Sequence, residues 1–166
     1  VTGQRSWSFG GEGGRSTILS PIIGPEGAVL SPGGDLVALQ PGPDGQSPTV
    51  LWKANKLKGG GNPTPLYYNG RIYALNATGI LTCGSAKTGK EIWQERVKGP
   101  VSASPVAAGG RIYIVNENGL TTVVKVGDKP EIEAQNDLGD EILATPAISG
   151  GAIFLRSDKF LYCIGS

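Results

Sequence analysis

The chain has 166 residues, with 15 Lys and Arg against 14 Asp and Glu, so its charges nearly cancel. That balance argues against a phosphate-polymer binder, which shows a basic excess. The absence of His removes the commonest general base and metal ligand, and no apolar run approaches the ~18–20 residues of a membrane-spanning helix.

Gly (27) and Pro (12) together exceed a fifth of the chain, so many short elements separated by turns are expected and long helices are not. The sequence has no Met and shows no signal-peptide pattern; it reads as a processed or excerpted piece of a longer product.

In chain order, the first element is "RSWSF" (5–9), a short strand carrying Trp7, followed by the glycine-rich join "GGEGGRS" (10–16). A hydroxyl residue followed by proline then recurs as Ser20-Pro21, Thr64-Pro65, Ser104-Pro105 and Thr145-Pro146, with prolines 44, 40 and 41 residues apart. After each proline come an apolar stretch, a glycine turn and a strand: "GAVL", "GRIY", "GRIY" and "GAIF". A second turn follows ("PGG", "NATG", "NENG", "SDK"), then a third strand ("DLVALQ", "ILTCG", "LTTVVKV", "FLYCIG"). The fourth strand carries Trp52 in one unit, Trp93 in the next and Ile132 in the third.

Four short strands in about 40–45 residues, rich in Val, Ile, Leu and Tyr and joined by Gly, Asn and Asp, are the pattern of a β-propeller blade. A parallel sheet would need intervening helices, and no window sustains a helical apolar stripe. The predicted fold is all-β: a propeller of four-stranded antiparallel blades with about four blade equivalents. Residues 1–16 form a fourth strand plus join, 17–57, 58–98 and 99–138 are blades, and 139–166 supply three strands of a last blade. Pairing between the two chain ends would hide both sheet edges. The pieces suit a small closed ring or half of an eight-bladed ring completed by a second copy, by missing sequence or by a protein partner.

The stretch from Gly84 to Lys90 is one residue short of a phosphate-binding P-loop. Glu91 stands where that loop needs Ser or Thr, a strand-length segment replaces the required helix, and the other units have an ordinary turn there. Cys83 and Cys163 occupy near-equivalent third-strand positions in blades separated by another blade, too far apart to bridge, so both are expected to be buried and reduced. No cofactor or metal site is assigned.

"SAKTGKEIW" (85–93) resembles the tryptophan-docking motif of pyrroloquinoline-quinone-type propeller repeats, Ala-x-Asp-x-x-Thr-Gly-x-x-x-Trp. Thr88, Gly89 and Trp93 match it, with Cys83 in place of the Ala and Ser85 in place of the Asp. "SPVAAGGRIYIVNENG" and "ATPAISGGAIFLRSDKFLYCIG" resemble the same repeats, and the likeness extends over roughly residues 17–166. It is similar to the propeller scaffolds of exported outer-membrane assembly lipoproteins. The resemblance implies that Trp7, Trp52 and Trp93 act as staples between blades, each bound by a Thr-Gly turn such as Thr88-Gly89. It implies a location in the bacterial envelope, periplasmic or extracellular. In quinone-dependent dehydrogenases of this repeat type it would imply a quinone, a calcium ion and an Asp base. Here the adjacent Cys-Cys pair of alcohol-oxidising members is missing, and Asp35, Asp140, Glu141 and Asp158 read as loop charges.

Loops between second and third strands share one face of a propeller with the joins between blades. That face collects Asn76, Lys98, Asn116, Glu117, Asp140, Glu141, Arg156 and Asp158. Its mixed signs suit protein or peptide recognition, and Arg156 has uncharged counterparts in the other units. The function expected is a non-catalytic scaffold for protein–protein contacts. The competing readings are a partial or degenerate quinone-dependent dehydrogenase and an extracellular ligand-sensing domain of a larger receptor.

Overall fold

The computed structural model describes residues 7–10, 18–43, 46–57 and 59–165. Four antiparallel sheets follow one another along the chain. The first contains β1 (Ile22–Ile23), β2 (Val29–Ser31), β3 (Leu36–Gln40) and β4 (Thr49–Ala54), with a single 3-10 turn at Pro25–Gly27. The second contains β5 (Leu66–Tyr68), β6 (Arg71–Leu75), β7 (Ile80–Ser85) and β8 (Glu91–Arg96). The third contains β9 (Val106–Ala108), β10 (Arg111–Val115), β11 (Leu120–Lys125) and β12 (Ile132–Asp137). The last has three strands: β13 (Ala147–Ser149), β14 (Ala152–Arg156) and β15 (Leu161–Gly165). Within each sheet the strands lie in sequence order, and the innermost strands β1, β5, β9 and β13 touch in succession. This is a β-propeller arrangement.

Local chemistry sets these meanders. The first and second strands are joined by two-residue turns in which both residues have positive φ: Asn69-Gly70 (49° and 74°), Gly109-Gly110 (56° and 76°) and Gly150-Gly151 (57° and 80°). Such turns match the twist of the flanking strands, and only Gly and Asn enter that region cheaply. All three complete blades break register at the same place, between Ala38 and Leu39, Cys83 and Gly84, and Val123 and Val124. The bulge tilts the outer strand just beyond Trp52, which pairs with Ala38, and Trp93, which pairs with Cys83.

The core lies between sheets. Leu30, Leu36, Ala38, Ala54 and Leu57 of the first blade meet Ile72 and Ala86 of the second. Tyr73, Leu75, Leu81, Cys83 and Trp93 of the second meet Ile112, Ile114 and Val124 of the third. Alternation along each strand sends one set of side chains towards the preceding blade and the other towards the following blade.

Trp52 donates its indole N–H to the Ala86 carbonyl (3.1 Å), and Trp93 donates to the Gly127 carbonyl (3.0 Å). Each bond runs from the outer strand of one blade to the third-to-fourth-strand turn of the next. Gly89, at φ 68°, lies against the Trp52 ring: a Cβ there would sit 2.6 Å from Cε3. A Cβ at Gly84 would lie 2.5 Å from Leu57 Cδ1. The two glycines that mimic a phosphate loop therefore make room for neighbouring side chains. Ion pairs reinforce the same joints, Lys56 to Glu91 at 3.5 Å and Arg71 to Asp128.

Three sequence expectations change. The residue opposite Val123 is Ala134, so Ile132 is not the tryptophan counterpart; the spacing to the next proline drifts with join length, whereas strand register does not. The third joint is accordingly small: Val115, Ile142 and Leu155 bury together, with Leu138, Ile153 and Tyr162 beside them. Cys163 is exposed although Cys83 is buried: Ile112, Ile114 and Val124 of the third sheet pack with Cys83, whereas no described strand packs over β15. Residues 5 and 6 of the N-terminal strand lie outside the described residues, and Trp7 to Gly10 form no strand.

Candidate functional site: the loop face

One face of the molecule is built from a repeating backbone ladder. The second-to-third-strand turns of the second and third sheets are each hydrogen-bonded to the join before and the join after, and the turn of the last sheet to the join before it. Ala77 N–H donates to the Gly60 carbonyl (2.6 Å), and Val101 N–H to Ala77 (3.0 Å). Glu117 N–H donates to Pro100 (2.9 Å), Ile142 N–H to Glu117 (3.1 Å) and Asp158 N–H to Glu141 (3.1 Å). The topology thus brings the turns at 76–79, 116–119 and 157–160 onto one surface with the joins.

The turns themselves are closed by a side-chain acceptor. Asn76 Oδ1 accepts the Thr78 (3.1 Å) and Ile80 (2.9 Å) N–H groups. Asn116 Oδ1 accepts those of Asn118 (3.1 Å) and Leu120 (2.9 Å). Ser157 Oγ replaces the amide in the last blade, accepting from Lys159 (3.2 Å) and Phe160 (2.9 Å). Local capping of this kind suits Asn and Ser. Asn76 and Asn116 therefore shape the face, and Asn116 is itself buried. Ser157 carries no distinguishing sequence signal except its alignment with the two Asn turns.

Asp140 is also buried and held in place. Ser157 Oγ–H donates to Oδ2 (2.6 Å), the Glu141 N–H donates to Oδ1 (3.1 Å), and Lys159 Nζ lies 3.6 Å away. The Ser157 hydroxyl first, and the Lys159 charge after it, hold the Asp140 carboxyl below its ordinary range. Glu117 accepts the Ser102 hydroxyl (2.7 Å), which in turn accepts from the Asn62 amide (3.2 Å). Lys98, Glu141, Arg156 and Asp158 are exposed and, with the exposed Lys159, present both signs of charge on the face. A shallow hollow of about 390 Å³ is lined by Glu117, Asn118, Asp137, Gly139, Asp140 and Glu141. Asn118 belongs to the 116–119 turn, and Asp137, at the end of β12, joins the site only through tertiary structure.

Nearer the axis the recurrent Ser/Thr-Pro dipeptides form a second ladder. Ser20 N–H donates to Thr64 Oγ1 (3.2 Å), Thr64 N–H to Ser104 Oγ (2.9 Å) and Ser104 N–H to Thr145 Oγ1 (3.0 Å). The hydroxyl was visible in the repeat, and its role is to tie each blade to the next. Trp52, Thr88, Gly89 and Trp93 stand apart from the loop face, on or beside the outer strands, and Trp7 lies in no strand.

Among the described residues no group of three or more His, Cys, Asp or Glu side chains is arranged to hold a metal ion. Asp35, Asp140, Glu141 and Asp158 belong to three different turns or joins. Among the described residues no helix is long and apolar enough to cross a membrane.

A model of the family described as outer membrane protein assembly factor BamB matches residues 2–129. Among curated proteins nothing matches the chain. Among solved structures, BamB from Moraxella catarrhalis is similar with a TM-score of 0.64 at 15% identity, over 92% of this chain and 46% of that one. The quinohemoprotein alcohol dehydrogenase ADHIIG from Pseudomonas putida HK5 gives 0.68 at 16% identity, over 90% and 29%. The computationally designed Ika4 protein gives 0.67 at 10% identity, over 98% of both chains. The chain thus spans about half the length of the BamB structure it resembles.

Proposed function

Because the chain belongs to the BamB family of outer membrane protein assembly factors, we propose that it is a non-catalytic propeller scaffold that binds a protein partner in an envelope assembly. The observation that carries this reading is the loop face. Its turns are fixed by a backbone hydrogen-bond ladder and by their own Asn or Ser acceptors, so the charges of Lys98, Glu141, Arg156 and Asp158 are presented on a rigid frame. Rigid presentation lowers the ordering cost of association, and a face of mixed sign favours register and selectivity over bulk attraction. Asn76, Asn116, Glu117 and Asp140 contribute by holding that frame. The location that goes with this reading is the periplasm or the outer cell surface of a bacterium.

Photo-crosslinking residues at Arg156 and Asp158, expressed in the source cell, test the proposal against the same residues at exposed Gln135 on β12. A discrete adduct with one envelope protein from the loop-face positions, absent from β12, supports the scaffold. Equal or absent crosslinking at both locations overturns it.

A further inference from the structure

The sequence contains two Asn-Gly pairs, Asn69-Gly70 and Asn118-Gly119. Asn69 and Asn118 are both exposed. An Asn followed by Gly is a thermolabile arrangement, because the next backbone nitrogen carries no neighbouring Cβ as it approaches the side-chain carbonyl carbon. The fold treats the two pairs differently.

In the 116–119 turn the Gly119 N–H donates to the Asn116 carbonyl (3.0 Å), and the Asn118 N–H donates to Asn116 Oδ1 (3.1 Å). A Cβ at Gly119 would also run into the Asp140 carbonyl. The Gly119 nitrogen is therefore held and enclosed.

Asn69-Gly70 is the two-residue turn between β5 and β6. Its counterpart in the third sheet is Gly109-Gly110, where the Gly110 N–H donates to the Tyr68 hydroxyl of the preceding sheet (3.2 Å). Gly70 has no such acceptor before it. Leu30 and Tyr73 hold the same register position, opposite Ala38 and Cys83, which in turn face Trp52 and Trp93. Ile22 pairs with Leu30 and Leu66 with Tyr73, so Gly24 stands in the first sheet where Tyr68 stands in the second. Glycine has no hydroxyl to offer. Among the described residues nothing accepts the Gly70 N–H, and a Cβ at Gly70 would meet no atom within 4 Å.

We propose that Asn69 is a self-modification site, where asparagine converts to aspartate and isoaspartate. The Gly70 nitrogen gives up its proton and bonds to Asn69 Cγ. The bond from Cγ to the side-chain nitrogen breaks, and ammonia leaves with that proton. One water then opens the succinimide ring. Opening at Cγ leaves aspartate; opening at the main-chain carbonyl routes the backbone through Cγ and lengthens it by a methylene. The attack needs rotation about the Asn69 Cα–C bond, which an unheld peptide next to Gly can make. Only the chain and water are consumed.

The lengthened form acts on the first joint. The Gly70 carbonyl accepts the Ala86 N–H (3.1 Å), and the Ala86 carbonyl accepts the Trp52 indole N–H (3.1 Å). A two-residue turn with an extra methylene no longer presents the Gly70 carbonyl in that register. Isoaspartate at position 69 thus slackens the seat of Trp52.

The test incubates the folded 166-residue chain at mildly alkaline pH, beside a urea-unfolded sample, and maps the products by peptide mass. The two Asn-Gly sites should convert at similar rates in the unfolded sample. In the folded chain Asn69 should convert about tenfold faster than Asn118, since breaking the turn bond at Gly119 adds to that barrier alone. Equal folded rates, faster conversion at Asn118, or an intact Asn69 after the unfolded sample has converted overturns the proposal. Amide exchange at Ala86 should quicken in the aged chain and not in Asn69→Gln aged alike. Unchanged exchange in a chain carrying isoaspartate refutes the effect on the joint.

Discussion

Truncating Trp93 to Ala tests whether the blades are held by their tryptophans. Trp93 is 7% exposed, lies 6.0 Å from Tyr73 between ring centroids, and packs among Leu75, Leu81, Val101 and Ile112. A buried indole removes roughly 150–250 Å² from water, worth about 4–6 kcal/mol at ~25 cal/mol per Å². Ala retains the Cβ and the site relaxes in part, which brings the loss to about 3–5 kcal/mol. The Gly127 carbonyl also loses its donor, a further ~1 kcal/mol if water does not replace it. With a urea m-value of about 2 kcal/mol per M, the unfolding midpoint should fall by about 1.5–2.5 M, read by far-ultraviolet circular dichroism. Trp93→Phe keeps most of the apolar area and loses the N–H, so it should cost distinctly less than Trp93→Ala. A loss under ~1 kcal/mol for Trp93→Ala would refute the staple, and equal losses for both variants would show that the ring does not contribute beyond its hydrogen bond.

Asp140 gives a pH signature. Its carboxyl titrates below the ordinary value in the folded chain, so its stabilising contribution is present above the unfolded pKa, ~3.9, and is lost as pH falls through the lower folded value. Asp140→Asn should therefore flatten the decline of the melting temperature with acidification below about pH 4, and parallel acid profiles would contradict the assignment. The Cys83 thiol is pushed up by burial, an effect that the neighbouring Arg71 only partly offsets. With the thiolate disfavoured and the side chain enclosed, Cys83 should resist alkylation until the chain unfolds. Modification of Cys83 in the native chain at the rate of the exposed Cys163 would show that the second joint opens readily.

Much of the architecture was legible because the repeat is local. Ser/Thr-Pro spacing, paired Gly or Asn turns and short β-branched strands fix each meander within about forty residues, and hairpin contacts need no distant information. The loop face was legible as a set of turns, since strand order alone places alternate loops on one side. Which of its residues face outward was not. Asn116 and Asp140 look like exposed polar groups in sequence, yet one closes its own turn and the other is locked by Ser157 and Lys159 from the next blade.

The sequence by itself determined the blade, its period and the glycines that admit a neighbouring ring, because those depend on φ, side-chain size and alternation along one strand. Only the tertiary structure decided what each blade meets. Leu81 and Leu161 are the same residue at the same register position, and so are Cys83 and Cys163. One member of each pair is buried and the other exposed because the third blade packs over β7, whereas no described strand packs over β15. Burial here is a property of the junction between blades, and a junction is made by residues about forty positions apart, whose meeting no local pattern encodes.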